Sequence, residues 1–213
     1  MEEKINHRKD YQQFLLLEEN AANHPIDQLK NWLKEAEDAA IDDFNAFVLS
    51  TNGQGGYPHS RVVLLREIGK DGLVFYTNYQ SSKGSELQLN DKVGMNFFWN
   101  DLERQVRVTG VAKKMSDEES DAYFASRPRE SQIGAWASPQ SQPLHTRDEL
   151  EAKVAFYTKE FVGREVSRPP NWGGYRIIPH YFEFWQGRPS RLHDRLVYQV
   201  DADFEWCKIR LAP

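Results

Sequence analysis

The densest concentration of chemically capable residues is Glu183-Phe-Trp-Gln-Gly-Arg-Pro-Ser-Arg-Leu-His-Asp-Arg195. If the chain is extended after Gly187, Arg191, His193 and Arg195 share one face. Three potential cations on one strand face repel unless an anionic or planar ligand lies between them, and arginine also stacks on aromatic rings. His193 suits proton movement because an unperturbed imidazole titrates near neutrality, although a lone histidine is more often structural. A second cluster is Tyr123-Ala-Ser-Arg-Pro-Arg-Glu-Ser131. Pro128 disfavours helical angles at Arg127, so one helix ends and another begins there. Arg127, Ser131 and the new helix N-terminus can converge on one anion, with Tyr123 one turn back; a capped helix–helix corner explains the same residues equally well. Third, Arg61 and Arg66 flank the apolar run Val62–Leu65. A cation in such a strand needs an anion, and pairing with a local Asp or Glu is the simpler explanation. Their spacing puts them on opposite faces unless a bulge intervenes. Ser81, Ser82 and Lys83 open the next helix, where free N–H groups suit either a phosphate or simple capping.

Other chemistries are missing. There is no G-x-G-x-x-G and no G-x-x-x-x-G-K-[ST], so a bound phosphate must be held by side chains and helix ends. The single cysteine, Cys207, excludes an internal disulfide and any zinc site needing two thiolates. His7, His24, His59, His145 and His180 show no metal spacing, so no metal is expected. Trp136, Trp172 and Trp185 can stack on a ligand, but core or interface packing is the commoner use.

These residues sit in a chain of 213 residues with formal charge −5 and 27 aromatic side chains. The length favours one domain spanning 1–213, and a chain of this size buries about 70% of its surface without disulfide or metal. So many aromatics argue against disorder. No apolar run reaches the ~20 residues of a membrane span, and MEEKINHRKDYQQ has no apolar signal region. The sequence pI of about 5.7 disfavours a general nucleic-acid binder. A cytoplasmic protein is expected. The charge is uneven: residues 1–60 hold 5 Lys/Arg and 11 Asp/Glu, a net −6, whereas the other 153 hold 22 and 21, a net +1.

The positioning elements follow from periodicity and turn signals. Residues 5–20 read as a loose helix. Pro25 opens a second, with Ile26, Leu29, Trp32, Leu33, Ala36 and Ala40 at helical spacing. Strands are expected at Ala46–Thr51, His59–Ile68 and Leu73–Thr77. The second is apolar on both faces, as in a barrel wall covered by a helix or a second subunit. Ser81–Asn90 reads as a helix, and Lys92–Trp99 with Arg104–Lys114 as a hairpin. Ser116–Ser126 and Thr146–Val162 each begin with a capping-box pair (Ser116/Glu119 and Thr146/Glu149), and Pro128–Ala137 lies between them. After a loop at 163–173, strands return at Tyr175–Ile178, Tyr181–Gln186, Leu196–Val200 and Phe204–Ile209. This pattern implies an α+β, mainly antiparallel barrel.

Taken together, the segments resemble the pyridoxine/pyridoxamine 5′-phosphate oxidase family from about Ile5 to Pro213. The most specific piece is Glu183-Phe-Trp-Gln-x4-Arg191-Leu-His-Asp-Arg195. It is supported by Arg61-Val-Val-Leu-Leu, Phe75-Tyr-Thr-Asn78, Leu102-Glu-Arg-Gln-Val106, Ser126-Arg-Pro-Arg129, Ser131-Gln-Ile-Gly-Ala-Trp136, Gln140-Ser141 and Trp172-Gly-Gly174. The resemblance implies an FMN-binding split β-barrel with flanking helices, working as a homodimer with FMN at the interface. It also implies oxidation of pyridoxine or pyridoxamine 5′-phosphate to pyridoxal 5′-phosphate by hydride transfer from C4′ to flavin N5, with dioxygen reoxidising the flavin to give hydrogen peroxide.

Carried over by position, Arg61, Val62, Val63, Leu64, Leu65, Arg66, Tyr76, Thr77, Ser82, Lys83 and Gln105 line the FMN site. Gln140, Ser141, Trp172 and Arg195 complete it, some from the partner. The substrate phosphate meets Arg66, Tyr123, Arg127 and Ser131, while Arg191, Leu192 and His193 lie at the substrate ring. Arg191 and His193 are the implied catalytic pair. Arg8 and Tyr11 match an N-terminal segment (within 1–24) that covers the family's active site, and Asp43 matches an acidic residue near it. Three positions depart from the family: Arg66 stands where Lys is common, Ser82 where Arg is common, and Leu15-Leu-Leu-Glu-Glu19 where a basic loop is often found. The Ser82 change removes one partner of the FMN phosphate, leaving Lys83 and Arg61. Two rivals remain: a related split-barrel oxidase acting on another substrate, such as a phenazine precursor, and a non-catalytic flavin-, haem- or vitamer-binding module.

Overall fold

The computed structural model of the protein describes residues 11–203 and 205–213. Arg8 and the first part of the helix expected over 5–20 lie outside them. The elements are α1 (Pro25–Asp38), β1 (Ala46–Asn52), β2 (Pro58–Leu64), β3 (Glu67–Gly69), β4 (Gly72–Asn78), α2 (Ser82–Leu89), β5 (Lys92–Trp99), β6 (Arg104–Lys114), α3 (Asp117–Ser126), α4 (Arg129–Ala137), α5 (Arg147–Glu160), β7 (Trp172–Gln186), β8 (Asp194–Val200) and β9 (Trp206–Leu211). The strand order is β2-β1-β5-β6-β7-β4-β3, with β8 also pairing β7 and β9 pairing β8. The β3–β4, β4–β7, β7–β8 and β8–β9 pairings are antiparallel. The chain forms two compact units. One comprises the described part of 1–48 with 94–109 and 179–213; the other comprises 49–93 and 110–178.

In the first unit, α1 forms as its spacing predicts. Pro25 occupies the first turn, and His24 Nδ1 accepts the Ile26 N–H at 3.2 Å. The helix buries Ile26, Leu29, Trp32, Leu33 and Ala36. Trp32 meets Phe184 of β7 edge-on at 5.2 Å. Phe182, Phe184, Leu196 and Tyr198 complete this core from β7 and β8.

The segment 11–20 is not helical. Glu103 Oε2 accepts the N–H of Gln12 at 3.0 Å, and Asp194 Oδ2 accepts that of Leu16 at 3.2 Å. Arg210 donates to the Leu16 carbonyl at 2.8 Å and to both Glu18 carboxylate oxygens. Side chains distant in sequence thus satisfy the backbone groups that a helix would have paired internally. That arrangement overrides the weak apolar period. The Glu18 carboxyl is held down at about 2, chiefly by Arg210.

In the second unit, Leu73, Val74 and Phe75 of β4 are buried, and the strand pairs with β7 from Leu73↔Ile177 to Asn78↔Trp172. A cluster of Phe124, Ile133, Phe161, Val166 and Trp172 forms a second packed region. The α3 capping box is complete: Glu119 N–H donates to Ser116 Oγ at 3.2 Å, and Ser116 N–H to Glu119 Oε2 at 3.1 Å. In α5 only half of the expected box forms. Thr146 Oγ1 accepts from Glu149 N–H at 3.4 Å, but the Glu149 carboxylate takes the His145 N–H instead.

Two expected strands, Tyr175–Ile178 and Tyr181–Gln186, are one strand, β7. Its first half pairs with β4 and its second with β8, and Pro179 falls between these paired segments, where a missing N–H is tolerated. Conversely, the single strand expected over His59–Ile68 is broken at Leu65–Arg66 into β2 and β3. Nor is it buried on both faces within this chain: β2 ends the strand order, and Val62 is exposed.

Candidate functional site

A cleft of about 910 Å³ opens in the second unit. It is walled by β2, β4, the start of α2, the α3–α4 corner, residues 138–141 and Trp172. It gathers Arg61, Val62, Val63, Leu64, Arg66, Tyr76, Thr77, Ser82, Lys83, Tyr123, Arg127, Ser131, Gln140, Ser141 and Trp172. Leu65 is not in its lining; that side chain is buried in the core. Arg61 and Arg66 both reach the cleft, because the strand break just before Arg66 removes the alternation that would have set them on opposite faces.

Lys83 marks one side of the cleft. Ser81 caps α2 and accepts the Gly84 N–H at 3.3 Å. Gly84 lets this first turn sit against the Tyr79 carbonyl, where a Cβ would lie 2.1 Å from the oxygen. Lys83 is buried, and its Nζ donates to Thr77 Oγ1 at 3.0 Å, Ser81 Oγ at 3.2 Å and Gln140 Oε1 at 3.3 Å, all neutral groups. Burial, and then the charge of Arg61, lowers its pKa to about 8.

A lysine with a folded-state pKa below its unfolded value of 10.5 costs stability. The cost is full below about pH 8 and fades as pH rises towards 10.5, where the amine is neutral in both states. Lys83→Met is therefore expected to raise the melting temperature of the ligand-free protein at pH 7. The gain should shrink between pH 8 and 10.5 in thermal denaturation scans. A melting temperature lowered at pH 7 would contradict this account.

Arg61 has the local carboxylate partner that the simpler sequence reading anticipated. Glu86 of α2 is buried, and its Oε2 accepts from Arg61 Nη2 at 3.1 Å and from Thr51 Oγ1. These donors and His59 hold its carboxyl below the usual range, against the upward push of burial.

Arg127 marks another part of the cleft. It ends α3 in an extended conformation (φ −74°, ψ 150°), as the following proline dictates, and Pro128 caps α4 rather than occupying its first turn. Its guanidinium lies over the Trp172 ring at 4.6 Å. The Nη1 atom is buried with no hydrogen-bond partner. Burial lowers its pKa, and the charge of Arg66 adds to that. Beside it, Tyr76 stacks on Tyr123 at 3.7 Å and 8°, and both rings run nearly parallel to Trp172. Tyr76 donates to Glu67 Oε1 at 2.7 Å, and burial with this carboxylate raises its pKa. Arg127 as a whole is only half-buried, but a guanidinium nitrogen withdrawn from water without a partner is unfavourable until an anion joins it.

The remaining candidates lie in the first unit. The chain after Gly187 does not run extended: Pro189–Arg191 is a 3₁₀ turn, with Ser190 and Arg191 both left-handed (φ 55° and 61°). Arg191, His193 and Arg195 therefore do not share a strand face. His193 Nδ1 accepts the Arg188 N–H at 3.1 Å, so the neutral ring carries its proton on Nε2. The ring packs against Trp185 at 4.6 Å and Tyr11 at 5.6 Å. Burial lowers its pKa, and the nearby charge of Arg191 lowers it further. Arg191 and Leu192 are exposed.

Arg195 is engaged rather than free. It donates to Glu183 Oε1 at 2.9 Å and to the Ala212 carbonyl at 2.9 Å. Buried Glu183 also accepts from Arg107 at 3.1 Å and Tyr181 at 3.0 Å. Gln105 is half-buried on β6, and Asp43 lies in a turn with φ 49°. From the sequence, Glu183 and Glu86 have no role, and His59 figures only as one of the histidines without metal spacing. Only Glu183 carried a signal, its place in the same motif as Arg195.

Residues 33–158 match the family described as pyridoxamine 5′-phosphate oxidase, and residues 172–213 match the pyridoxine 5′-phosphate oxidase C-terminal dimerisation region. The chain is 50% identical over 206 residues to the pyridoxine/pyridoxamine 5′-phosphate oxidase of Synechocystis sp., covering 97% of this chain and 96% of that one. It is 47% identical to the protein of the same name from Cytophaga hutchinsonii, covering 97% and 96%. Among solved structures, PhzG from Burkholderia lata, in complex with tetrahydrophenazine-1-carboxylic acid, superposes with a TM-score of 0.87 at 31% identity, covering 93% and 98%. A pyridoxamine 5′-phosphate oxidase-related, FMN-binding protein from Nostoc punctiforme shares the fold at TM-score 0.70 and 15% identity, covering 90% and 100%. The α+β, mainly antiparallel split-barrel fold expected from the sequence is the one found. On a match to most of its length and half-identical full-length relatives, the chain belongs to the pyridoxamine 5′-phosphate oxidase family.

Proposed function

We propose that the protein is a homodimeric FMN-dependent oxidase that converts pyridoxine 5′-phosphate and pyridoxamine 5′-phosphate to pyridoxal 5′-phosphate. The observation that carries this reading is the pair of under-neutralised cations in one cleft, Lys83 among neutral acceptors and Arg127 with an orphaned Nη1. A phosphorylated cofactor and a phosphorylated substrate together supply two anions for them. Lys83, Arg61 and the N-terminus of α2 suit the FMN phosphate. Arg127, Arg66, Tyr123 and Ser131 suit that of the substrate.

When bound, FMN supplies the redox chemistry, accepting a hydride from the substrate and passing its electrons to dioxygen to give hydrogen peroxide. The chain binds, orients and polarises. His193, whose Nδ1 is held by the Arg188 N–H, orients the oxygen or nitrogen at the reacting carbon through Nε2. Arg191 stabilises charge developing on the pyridine ring. Gln105 and Arg195 lie outside the cleft lining, and a second copy is proposed to help complete the FMN site. The match to a dimerisation region and the exposed apolar edge at Val62 support that assembly.

Among the described residues no helix is long and apolar enough to cross a membrane; a reducing cytoplasm also suits the free Cys207. The likeness to PhzG favours a second reading, oxidation of a phenazine precursor. The half-identical relatives and the unpaired Arg127 favour the phosphorylated substrate. FMN-saturated protein should consume oxygen and release pyridoxal 5′-phosphate when given either vitamer phosphate. Absence of turnover with both would overturn the assignment.

A further inference from the structure

His59 was given no role, yet it lines the cleft beside Arg61, Ser82 and Lys83. Its ring is seated rather than loose. It rests on Gly53, where a Cβ would come within 2.5 Å of the imidazole Cε1, so that position leaves room for the ring. Its Nδ1 lies 2.6 Å from Oε1 of the buried Glu86. Glu86 is ionised and can only accept, so Nδ1 carries a proton. The ring's other nitrogen, Nε2, is then a lone pair in the neutral form and a donor only in the imidazolium.

The charged surroundings of this ring can be stated element by element. On α2, Glu86 favours the imidazolium and Lys83 opposes it. On β2, Arg61 opposes it, but its own charge is matched by Glu86. The turn 53–56 and β1 bring no titratable group, only Gly53, Thr51 and Ser50 near the cluster. Without a ligand, one carboxylate, Glu86, faces the two cations Arg61 and Lys83 as well as the ring. A phosphate dianion entering between Lys83 and His59 tips the balance towards the charged ring.

We infer that His59 is a further phosphate-binding residue, which Glu86 orients through Nδ1 and which donates Nε2–H to the FMN phosphate as an imidazolium, so that FMN binding takes up a proton. The inference rests on the FMN reading above. It also gives the cleft a cation beside Ser82, which is itself uncharged.

The test is titration of FMN fluorescence quenching by ligand-free protein between pH 6.5 and 8.5, for the unaltered protein, His59→Ala and His59→Gln, with riboflavin as the phosphate-free control. Over this range the cofactor phosphate, with a second pKa of about 6, stays largely dianionic. Titration of Lys83 is common to all three proteins, so the ratio of dissociation constants isolates His59. At pH 6.5, His59→Ala should weaken FMN binding about 10-fold. The ratio to the unaltered protein should fall towards one by pH 8.5, and riboflavin binding should not change. His59→Gln, a neutral donor whose own contribution is constant with pH, should show a smaller loss at pH 6.5 that disappears or reverses by pH 8.5, where the unaltered ring presents only a lone pair. A ratio independent of pH, or an equal loss for riboflavin, would overturn the role of His59. If the unaltered protein does not prefer FMN to riboflavin, the FMN reading itself fails.

Discussion

Arg127→Ala is expected to raise the KM for both vitamer phosphates roughly 100-fold, the factor that corresponds to about 3 kcal/mol for removing one member of a desolvated charge pair. The direction follows from what Arg127 lacks. Its Nη1 is buried without a partner, and its guanidinium is held over Trp172 at a fixed distance of 4.6 Å. An arginine kept ionised and unpaired by the fold is an anion site whose cost has already been met. Two measurements separate this role from a structural one. The melting temperature of the ligand-free protein should not fall, because the substitution removes an uncompensated cation. Slow oxidation of non-phosphorylated pyridoxine should be nearly unaffected, because that substrate has nothing for Arg127 to bind. A KM unchanged for the phosphorylated substrates would remove Arg127 from the site.

Arg191→Ala is expected to lower turnover by about 100-fold or more while the protein remains yellow and folded, the usual loss when one preorganised group that stabilises transition-state charge is deleted. Two features point to Arg191. It is held in a left-handed conformation directly after another left-handed non-glycine residue, Ser190. Such backbone costs about 1–3 kcal/mol per residue and persists where the surroundings impose it. Its charge also lowers the pKa of His193. The variant should therefore shift the acidic limb of the pH–rate profile upward, because His193 loses a neighbouring cation. Turnover unchanged, or colour lost together with activity, would assign Arg191 elsewhere.

Local signals were legible wherever a residue's neighbours in sequence are also its neighbours in space. Pro25 and the apolar spacing from Ile26 to Ala36 give α1, and Ser116/Glu119 give the reciprocal cap of α3. Pro128 alone forces the extended Arg127 that separates α3 from α4. The same holds for the candidate site, since most cleft residues come in short runs, at 61–66, 76–77, 82–83, 123–131 and 140–141. The failures have a common cause. Residues 11–20 lack a helix because Glu103, Asp194 and Arg210, far away in sequence, bind their backbone. Arg191, His193 and Arg195 lose their common face to a 3₁₀ turn that no spacing rule anticipates.

The net charge of −5 is also distributed in a way that matters. The first sixty residues carry the excess, and one of their acids, Glu18, is paired with Arg210. Among the cleft arginines, Arg61 is neutralised by Glu86, 25 residues away, whereas the Nη1 of Arg127 is left without a partner. Periodicity and turn signals were enough for the class of fold, and the resemblance of the ordered motifs for the family and the residue types of the site. Which cations are already satisfied, which remain available to a ligand, and that His59 stands among them depended on side chains brought together across the chain, because the cost of a buried charge is set by what surrounds it in space and not by what precedes it in sequence.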